Sequence, residues 1–526
     1  MRRELFLILL ISMSVVFYTG CDNREYGIAV DSGVSQDIGE SDISVSDVGG
    51  DASVGLPDSL PFEIERENEG EPLTDKEITD FTKKLMGFYK KVDFGKWVIR
   101  ISHGVHESTG YPDYMLWWHD VDPIKKGDVV VWHHGNRGGA HNTSIPTSKV
   151  LGQMIAGYLL TGDEDMRYIA EQYMKGLMAM MKGMVYDEND PYQFLMARNI
   201  VTFNHSFLIE GNKKKEVDYK DWYYGYDGWN CSRFEYKNNP FWGDIWVTNM
   251  RSKDDVPHIY RATAYVVYLE GMEKDEKLRK VATDAHYYMR GFTKDIVDSG
   301  YYIRTKDKDG KVFIPDQDLA SFVTYEFMDP NAECNAKLTT TLIAYDEPKG
   351  LNCKKGGINI YEETAVKQHY YNFEIVSNFH LDSQLFSLIK RQDRFAKYLT
   401  LGLVERIDTY MSMKDTDFKD EPAFPGDMAA YLFKAASQGI PLKNSEARLI
   451  HNQYSKSIDD YLEWQYWDLW DSSIPDGQYP YQPSSLNGRV NIEDMFYVFE
   501  YCFSPFKSAN GARIVDCDIV RDKSKW

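Results

Sequence analysis

A helix–loop–helix pattern that recurs along the chain constrains the fold more than any other feature. In residues 164–182, Met166, Ile169 and Tyr173 fall on one face at α-helical spacing, and the short turn at 161–163 joins this segment to the apolar run before it. Such pairs form antiparallel hairpins, and because no hairpin covers its own apolar face, neighbouring hairpins must pack side by side. We expect helices at 75–91, 148–160, 164–182, 258–270, 277–295, 379–389, 394–411, 427–436 and 445–461.

Two long segments interrupt the hairpins. Residues 183–257 and 299–365 combine strand-like alternation, Gly-rich turns and many aromatic residues. We expect a β-hairpin arm at 200–209, followed by Gly211 and Asn212, and a second hairpin at 300–314 with Asp309-Gly310 at its tip. The pattern as a whole predicts a mainly α fold, an (α/α) toroid of helical hairpins with β-hairpin excursions in the loops that build one face.

The N-terminus has the features of an export signal. Arg2 and Arg3 precede a mostly apolar run of roughly a dozen residues, which is too short to span a bilayer, and Thr19-Gly20 then precede Cys21. This order resembles the lipobox of bacterial lipoproteins, although Tyr18 stands where that family usually has Leu. The resemblance implies that Cys21 is acylated, for example with palmitate, and anchors the protein at the periplasmic or cell-surface side of a membrane. The alternative is an ordinary signal peptide cut near Gly20.

Composition separates a tether from a folded body. Residues 22–72 are acidic, rich in Ser and Gly and nearly free of aromatics, so they cannot bury enough apolar surface to offset the entropy of ordering. We therefore predict a signal peptide at 1–20, a lipidated cysteine and disordered tether at 21–72, and a globular domain at 73–526. The formal charge of −21 argues against nucleic acid as a partner, since phosphate contacts require Lys and Arg.

The cysteine count allows disulfides in an oxidising compartment. With Cys21 lipidated, five cysteines remain, so at least one has no partner within the chain. The local pairings that we favour are Cys334 with Cys353 and Cys502 with Cys517. No pair has the CxxC spacing of a zinc site.

The hairpins between 148 and 461 and the aromatic loops resemble the (α/α)-toroid carbohydrate-active enzymes, which include six-hairpin glycosidases and toroid polysaccharide lyases. The resemblance is architectural, because none of these features is a family-specific motif. It implies a polysaccharide or oligosaccharide substrate. The high aromatic content, with 37 Tyr and 12 Trp, suits a large core and an aromatic-lined groove.

A polar, Gly-broken segment at 132–142 is the first candidate site. Loops at helix starts present polar groups to a cleft, and glycine lets a ligand approach the backbone. Alternatives are a structural loop, or a metal site formed by His133, His134 and His141 without a nearby carboxylate. The substrate-binding candidates here are Trp132, His134, Asn136, Arg137, His141 and Asn142.

The adjacent Asn204 and His205 are the second candidate site. An Asn amide can hydrogen-bond a uronate carboxylate and so acidify the C5 proton, which a His can remove. An adjacent Asn-His pair has these roles in the alginate-lyase branch of the toroid lyases, with an Arg and a Tyr downstream; Arg251 and Tyr260 occupy comparable places, with His258 between them. The alternative is a half-buried His on a β-arm.

Two further segments complete the candidates. In 249–261, Asp254 and Asp255 could bind Ca²⁺, contact substrate or act as acid or base, or they could simply stabilise a helix start. In 368–380, Tyr371 could protonate a leaving glycosidic oxygen, and His369 and Asn378 could bind substrate; aromatic helix packing is the alternative.

Three functions remain open at this point. The first is a lyase that cleaves an acidic glycan by β-elimination and needs no metal or other cofactor. The second is a six-hairpin glycoside hydrolase that uses paired carboxylates, with Asp254 or Asp255 opposite Glu362, Glu363 or Asp427. The third is a non-catalytic, SusD-type glycan-binding lipoprotein, in which the candidate clusters need not converge.

Overall fold

The structure is a computed structural model, and it is mostly helical with several short strands. It describes residues 64–92, 98–100, 115–117, 121–126, 129–134, 143–187, 189–202, 206–209, 213–216, 233–249, 255–299, 303–313, 404, 407–408, 411, 425–463, 465–466, 489–504, 507–508 and 510–526. The mainly α prediction is confirmed for this part of the chain.

Seven of the predicted helices lie in the described ranges and are confirmed, most of them one to three residues longer at an end. The predicted helices at 379–389 and 394–411 lie almost entirely outside those ranges. The helices are α1 Asp75–Tyr89, α2 Ser144–Thr161, α3 Glu164–Lys182, α4 Asp255–Met272, α5 Glu276–Asp298, α6 Pro425–Ser437 and α7 Asn444–Glu463, followed by two short ones, α8 Tyr497–Phe503 and α9 Cys517–Arg521.

The first helix begins at a capping box formed by Thr74 and Glu77. The Glu77 backbone N–H donates to Thr74 Oγ1 at 3.2 Å, and the Thr74 backbone N–H donates to Glu77 Oε2 at 2.7 Å. These bonds, together with a contact from Arg448, lower the pKa of Glu77 to about 2. The carboxylate thus satisfies a backbone donor that the helix itself leaves unpaired.

The lowered pKa of Glu77 predicts an acid-dependent contribution to stability. Its carboxylate should stabilise the fold fully above the ordinary pKa of 4.5 and lose this effect as the pH falls towards 2. The difference in melting temperature between the wild type and Glu77→Gln should therefore be largest near neutral pH and shrink below pH 4.5. A difference that stays constant down to pH 2 would contradict this assignment.

α2 is the central helix of the fold. Its first fourteen residues, 144–157, are all buried, and it contacts α3, α4 and α8. It ends at Gly162, whose φ of +67° is left-handed and suits a residue without a Cβ. Asp163 then caps α3 by accepting from the Met166 N–H at 3.0 Å. The tight connection predicted at 161–163 is confirmed.

α2 and α4 lie side by side and run in the same direction. Midway along both helices, Gly152 of α2 lies against the Tyr265 ring of α4. At their ends, the Tyr158 hydroxyl contacts Glu273, and burial together with this carboxylate raises the pKa of Tyr158 to about 12. Matching contacts at the middle and at the end require a parallel pair.

α3 and α5 form a second layer behind α2 and α4. Arg167, near the start of α3, pairs with Asp275, just before α5, at 2.9 Å. The starts of α3 and α5 are therefore close, and the two helices contact each other along their length. α3 follows α2, and α5 follows α4, each through a short turn. α3 and α5 therefore run antiparallel to α2 and α4, which belong to what we call the front layer.

α8 extends the front layer on the other side of α2. Asp494, just before α8, pairs with Lys149 in the second turn of α2, and Phe499 lies against Gly157 two turns further along α2. The contacts advance in the same direction along both helices. α8 is therefore parallel to α2.

α6 is the fourth helix of the front layer. Near its start, Asp427 accepts a hydrogen bond from Asn491 at 3.2 Å, and further along the Phe433 ring lies 5.7 Å from the Tyr501 ring of α8. The front layer thus has the order α4–α2–α8–α6, with all four helices parallel. α7 returns behind α6.

α1 lies beside α7 in the second layer and runs in the same direction. Glu77 of α1 pairs with Arg448 of α7 at 3.1 Å, and the Phe88 and Tyr461 rings lie 5.9 Å apart near the other end. Phe81 stacks on His451 between these contacts, with ring centroids 4.0 Å apart. One cluster of buried side chains joins both layers.

The strands form small sheets beside the helices. β10 and β11 form the hairpin predicted at 300–314, with Gly310 at φ +83° in its turn. The strands are β1 Val98–Arg100, β2 Met115–Trp117, β3 Val121–Lys126, β4 Val129–His134, β5 Asn199–Thr202, β6 Ser206–Ile209, β7 Lys213–Glu216, β8 Arg233–Asn239, β9 Gly243–Thr248, β10 Thr305–Lys306, β11 Val312–Phe313 and β12 Gln465–Tyr466.

The β-hairpin arm predicted at 200–209 requires a correction. Its two halves, β5 and β6, belong to different sheets: β5 pairs with β9, which also pairs with β8, and β6 pairs with β7 across Gly211 and Asn212. The apolar, β-branched run specifies extended backbone, but it does not specify which distant strand supplies the hydrogen bonds. The pairing of β6 with β7, which are neighbours in the sequence, was therefore predictable, and the pairing of β5 with β9 was not.

The predicted boundary between tether and body lies too late in the chain. Residues 64–72 are packed along the start of α7, where the Ser445 N–H donates to Glu69 O at 2.9 Å. The Arg66 guanidinium, whose side chain is 3% exposed, binds both carboxylate oxygens of Glu446, at 2.7 and 2.8 Å, and also reaches Asp408. Composition predicted disorder here because the segment is acidic and polar. It could not show that the acidic partners of Arg66 lie more than 300 residues away.

A disulfide joins Cys502 to Cys517, as the sequence predicted, and ties α8 to α9. The pair predicted between Cys334 and Cys353 lies outside the described residues. The bond closes a loop of about 15 residues, which restricts the unfolded chain. We expect Cys502→Ala/Cys517→Ala to lose about 2–3 kcal/mol of unfolding free energy in chemical denaturation. A midpoint equal to that of the oxidised wild type would contradict this expectation.

None of the helices within the described ranges is long and apolar enough to cross a lipid bilayer.

Candidate functional site

The parallel front layer brings several distant parts of the chain to one end of the fold. α2, α4 and α6 all begin at this end, and the 3₁₀ turn Ile492–Asp494 lies there just before α8. We call this surface the helix-start end. The N-termini of the three long helices carry partial positive charge, which Asp255 of α4 and Asp427 of α6 offset in their own first turns, whereas the first turn of α2 contains no acidic residue.

A buried ion pair lies beneath the helix-start end. Lys149 Nζ lies 3.1 Å from Asp494 Oδ2, and the two side chains are 9% and 5% exposed. The Tyr497 hydroxyl donates to the other carboxylate oxygen of Asp494 at 2.8 Å. A charge pair removed from water needs such additional bonds to offset desolvation. The pair therefore joins α2 to the turn before α8.

Neutral donors fix the same turn from two other directions. Gln153 Nε2, one turn after Lys149 on α2, donates to Glu493 O at 2.7 Å. From α7, the Tyr454 hydroxyl donates to Asp494 O at 2.9 Å. Complete burial raises the pKa of Tyr454 well above its usual value, so the phenol stays a proton donor. Two helices, α2 and α7, thus hold the 492–494 backbone in place.

A second segment at this end is held between α6 and α7. The Tyr461 hydroxyl donates to Val490 O at 2.6 Å, and the Val490 N–H donates to Ser457 Oγ at 3.0 Å. Arg489 pairs with Asp460. These bonds place Asn491 beside Asp427, whose half-buried carboxylate was a sequence candidate for the hydrolase reaction.

His258 lies in the first turn of α4 and is 2% exposed. The sequence makes it a catalytic candidate, and this role is still a prediction for a side chain that is buried at the helix-start end. Asp255 is the first residue of α4, with Pro257 two residues later, which matches the helix-start alternative for this segment. Tyr260 lies one turn after Pro257 in the same helix.

The first candidate segment is divided by the structure. Trp132 and His134 lie on β4, where they are register partners of Pro123 and Val121 on β3, and Trp132 is also the partner of Tyr466 on β12. This part of the segment is therefore a strand, and not a loop as predicted, because β4 pairs with both β3 and β12. Asn136, Arg137, His141 and Asn142 lie outside the described residues.

The remaining catalytic candidates also lie outside the described residues. Asn204 and His205 immediately precede β6, and Arg251 lies four residues before the start of α4. Whether the four candidate segments converge is therefore still a prediction. The other candidates outside the described ranges are Cys21, His369, Tyr371 and Asn378.

Sequence reasoning missed the buried ion pair. Lys149 and Gln153 are the only Lys and Gln in the otherwise apolar helix α2, and their spacing of four places them on one face. A charged residue on a helix with no polar face needs a buried partner, and this signal was available. The identity of the partner was not, because Asp494 is 345 residues away.

A second buried charge centre has a structural role. Lys306 Nζ pairs with Asp190 and donates to Met184 O at 2.7 Å and Tyr192 O at 3.1 Å. Burial lowers the pKa of Lys306, and Asp190 opposes this effect. The ammonium therefore has a partner in each donor direction and fastens the β10–β11 hairpin to the loop after α3.

Among the described residues, no three His, Cys, Asp or Glu side chains converge as metal ligands would. Asp254, part of the pair considered for Ca²⁺, lies outside the described ranges. Asp307 accepts from the Asp309 and Lys311 N–H groups, each at 2.9 Å, as a turn residue does.

Comparisons with protein-family models, curated proteins and solved structures find no match for this chain. Its chemistry must therefore be inferred from its own residues. The helix-start end is the strongest candidate, since it combines helix N-termini with side chains from four separate parts of the sequence.

Proposed function

We propose that this chain is an extracytoplasmic lipoprotein that cleaves an acidic polysaccharide by β-elimination, with its active site at the helix-start end. One observation carries the proposal: four parallel helices begin at a single end of the fold, and a second layer runs antiparallel behind them. In such an arrangement, the loops that enter the front helices surround one common surface. The catalytic candidates Asn204, His205 and Arg251 belong to the chain that enters α4.

The arrangement of the layers supports an (α/α) toroid. Among the described helices, the front layer α4–α2–α8–α6 ends at α4 and at α6, and residues 299–424 connect the α4–α5 hairpin to α6. The helices predicted at 379–389 and 394–411 would form a further hairpin at this place and continue the ring. The toroid therefore requires that this hairpin contacts both α4 and α6.

The chemistry of the helix-start end favours an acidic substrate. The N-terminus of α2, whose first turn contains no acidic residue, favours a carboxylate, and the neighbouring loops contribute Asn, His, Arg and Tyr. In the proposed step, Asn204 hydrogen-bonds the uronate carboxylate and His205 removes the C5 proton. The C4–O bond then breaks as the C4=C5 double bond forms, and Tyr371 or Tyr260 protonates the leaving oxygen.

A glycoside hydrolase is the second candidate, because candidate carboxylates lie at the helix-start end. Asp255 is the first residue of α4, and Asp427 lies in the first turn of α6. Since α2 and α8 separate α4 from α6, Asp255 and Asp427 cannot face each other, and the opposing carboxylate would be Glu362 or Glu363. Hydrolysis requires two carboxylates on opposite sides of the scissile bond, roughly 5–9.5 Å apart. It yields reducing ends without new C=C bonds.

The proposal is tested by incubating the mature chain with alginate, glucuronan, pectate and glycosaminoglycans. We expect ultraviolet absorbance from unsaturated ends on at least one of them and its loss in His205→Ala. Reducing ends without this absorbance, lost in Asp427→Asn, would replace the lyase by the hydrolase. No product of either kind on any of these glycans would overturn an enzymatic function on acidic glycans.

The membrane anchor is tested independently of activity. Bacteria that express the full chain should incorporate labelled palmitate into the protein, and detergent should be needed to release it from membranes. Cys21→Ser should abolish both properties if Cys21 is the lipidated residue. Release of a soluble form by the wild type would favour the ordinary signal peptide.

A further inference from the structure

Half-exposed aromatic rings lie together on the outer surface of the second layer. Phe241 in the β8–β9 turn and Tyr287 on α5 are 49% and 48% exposed, which is unusual for large aromatic side chains. Tyr288 and Phe194 lie beside them and are partly buried. We call these four residues the aromatic platform. The Phe194 ring contacts the other two rings beside it, with centroids 5.3 Å from that of Tyr287 and 5.9 Å from that of Tyr288.

The β8–β9 turn is fixed to the end of α3 by one buried side chain. Asn239 Nδ2 donates to Lys182 O at 2.9 Å and to Val185 O at 3.2 Å, while its Oδ1 accepts from the N–H groups of Phe241 and Trp242, each at 2.9 Å. Phe241 is therefore held in place in the folded protein. A ring that is already ordered loses little entropy when a ligand stacks on it.

Phe194 is held by a glycine on α5. A Cβ at Gly291 would overlap the Phe194 ring, so only glycine lets the ring pack this closely against the helix backbone. The close approach places Phe194 next to both Tyr287 and Tyr288. The platform is thus formed by a loop, a turn and a helix that are held together by specific packing.

A lysine lies between the rings of the platform. Lys182 Nζ lies 5.3 Å from the centroid of Phe241 and 5.4 Å from that of Tyr288. Burial lowers the pKa of Lys182. No carboxylate in the described ranges forms a salt bridge with it, and Asp284, whose charge opposes this lowering, pairs with Lys280 at 2.9 Å. The platform therefore carries a positive charge available to a ligand, on a chain of net charge −21.

We propose that the aromatic platform and Lys182 bind an acidic polysaccharide. The C–H faces of sugar rings stack on exposed aromatic rings, the two phenol groups hydrogen-bond sugar hydroxyls, and Lys182 pairs with a uronate carboxylate.

The inference adds a binding surface to the proposed function and depends on it only for the choice of an acidic glycan. Lys182 is the last residue of α3, which runs antiparallel to α2, so it lies towards the helix-start end. A long polysaccharide chain could therefore occupy the platform and the helix-start end at the same time. A short oligosaccharide could not occupy both surfaces at once. Turnover of short oligosaccharides therefore measures cleavage separately from binding at the platform.

The test measures retardation of the full mature chain in native gels that contain alginate, pectate or glucuronan, with dextran as the neutral control. We expect the wild type to be retarded by at least one acidic glycan. Phe241→Ala/Tyr287→Ala should weaken this binding about tenfold, since two stacking contacts are lost. Lys182→Met should weaken binding of the acidic glycan and reduce its salt dependence. Met272→Ala, at a side chain 53% exposed near the end of α4, should bind as the wild type.

Melting temperatures close to that of the wild type are required of each variant, and turnover of short oligosaccharides should be unchanged. An unretarded wild type, or variants that bind as the wild type does, would overturn the platform even if the chain cleaves glycans. Retardation that depends on the platform in a chain without lyase or hydrolase activity would support the platform and overturn the proposed catalysis.

Discussion

Asp494→Ala is expected to lower the free energy of unfolding by about 3–5 kcal/mol, because it leaves the Lys149 ammonium buried without its partner. The carboxylate also accepts the Tyr497 hydroxyl, so a second buried donor loses its acceptor. The side chains of Lys149 and Asp494 are less than a tenth exposed, and water cannot replace the lost bonds without opening the core. Denaturant unfolding at neutral pH measures the effect.

Two controls separate the buried charge from a general loss of packing. Lys149→Met/Asp494→Leu removes both charges and should be more stable than Asp494→Ala, since apolar replacement of a buried pair is often neutral. Arg513→Ala removes an exposed pair with Asp75, whose side chains are 60% and 89% exposed, and should change stability by less than about 0.5 kcal/mol. If Asp494→Ala lowered the free energy of unfolding as little as Arg513→Ala does, the ion pair would not stabilise the fold at the helix-start end.

Local sequence patterns predicted the helices well, because their information lies within a few residues. The capping box of Thr74 and Glu77, the turn at Gly162 and the apolar stripe of α3 are each complete within one or two turns. The pairing of Cys502 with Cys517 was likewise predictable, since only 15 residues separate them. These features depend on neighbours that the sequence itself places side by side.

Long-range partners were not predictable from one sequence. Arg66 was assigned to a disordered tether because its neighbours are acidic and polar, yet it is buried against Glu446, 380 residues later. β5 was expected to continue into β6 but pairs with β9. The same limit applies to the site: residue chemistry suggested Asn204, His205 and Asp427, while the neighbours of Lys149 required the packing of α2 against the turn before α8.

Gly426→Ala is expected to cost about 3 kcal/mol, although it adds a single methyl group. A Cβ at Gly426, in the first turn of α6, would overlap the Arg489 carbonyl carbon and oxygen and the Val490 nitrogen. These are backbone atoms, and they cannot move aside as the end of a flexible side chain can. The segment is also fixed from the other side, where Tyr461 and Ser457 bind the backbone of Val490.

The matched control is Gly87→Ala in α1, where a Cβ would meet no atom within 4 Å. That change should stabilise the protein by roughly 0.5–1 kcal/mol, because alanine has the higher helix propensity. The same chemical change is thus expected to have opposite signs at two helical glycines. Since Gly426 positions Asp427 against Asn491, a folded Gly426→Ala protein should also lose cleavage activity if the helix-start end is the active site. Equal stability of the two variants would show that the 489–491 segment does not pack against α6 as described.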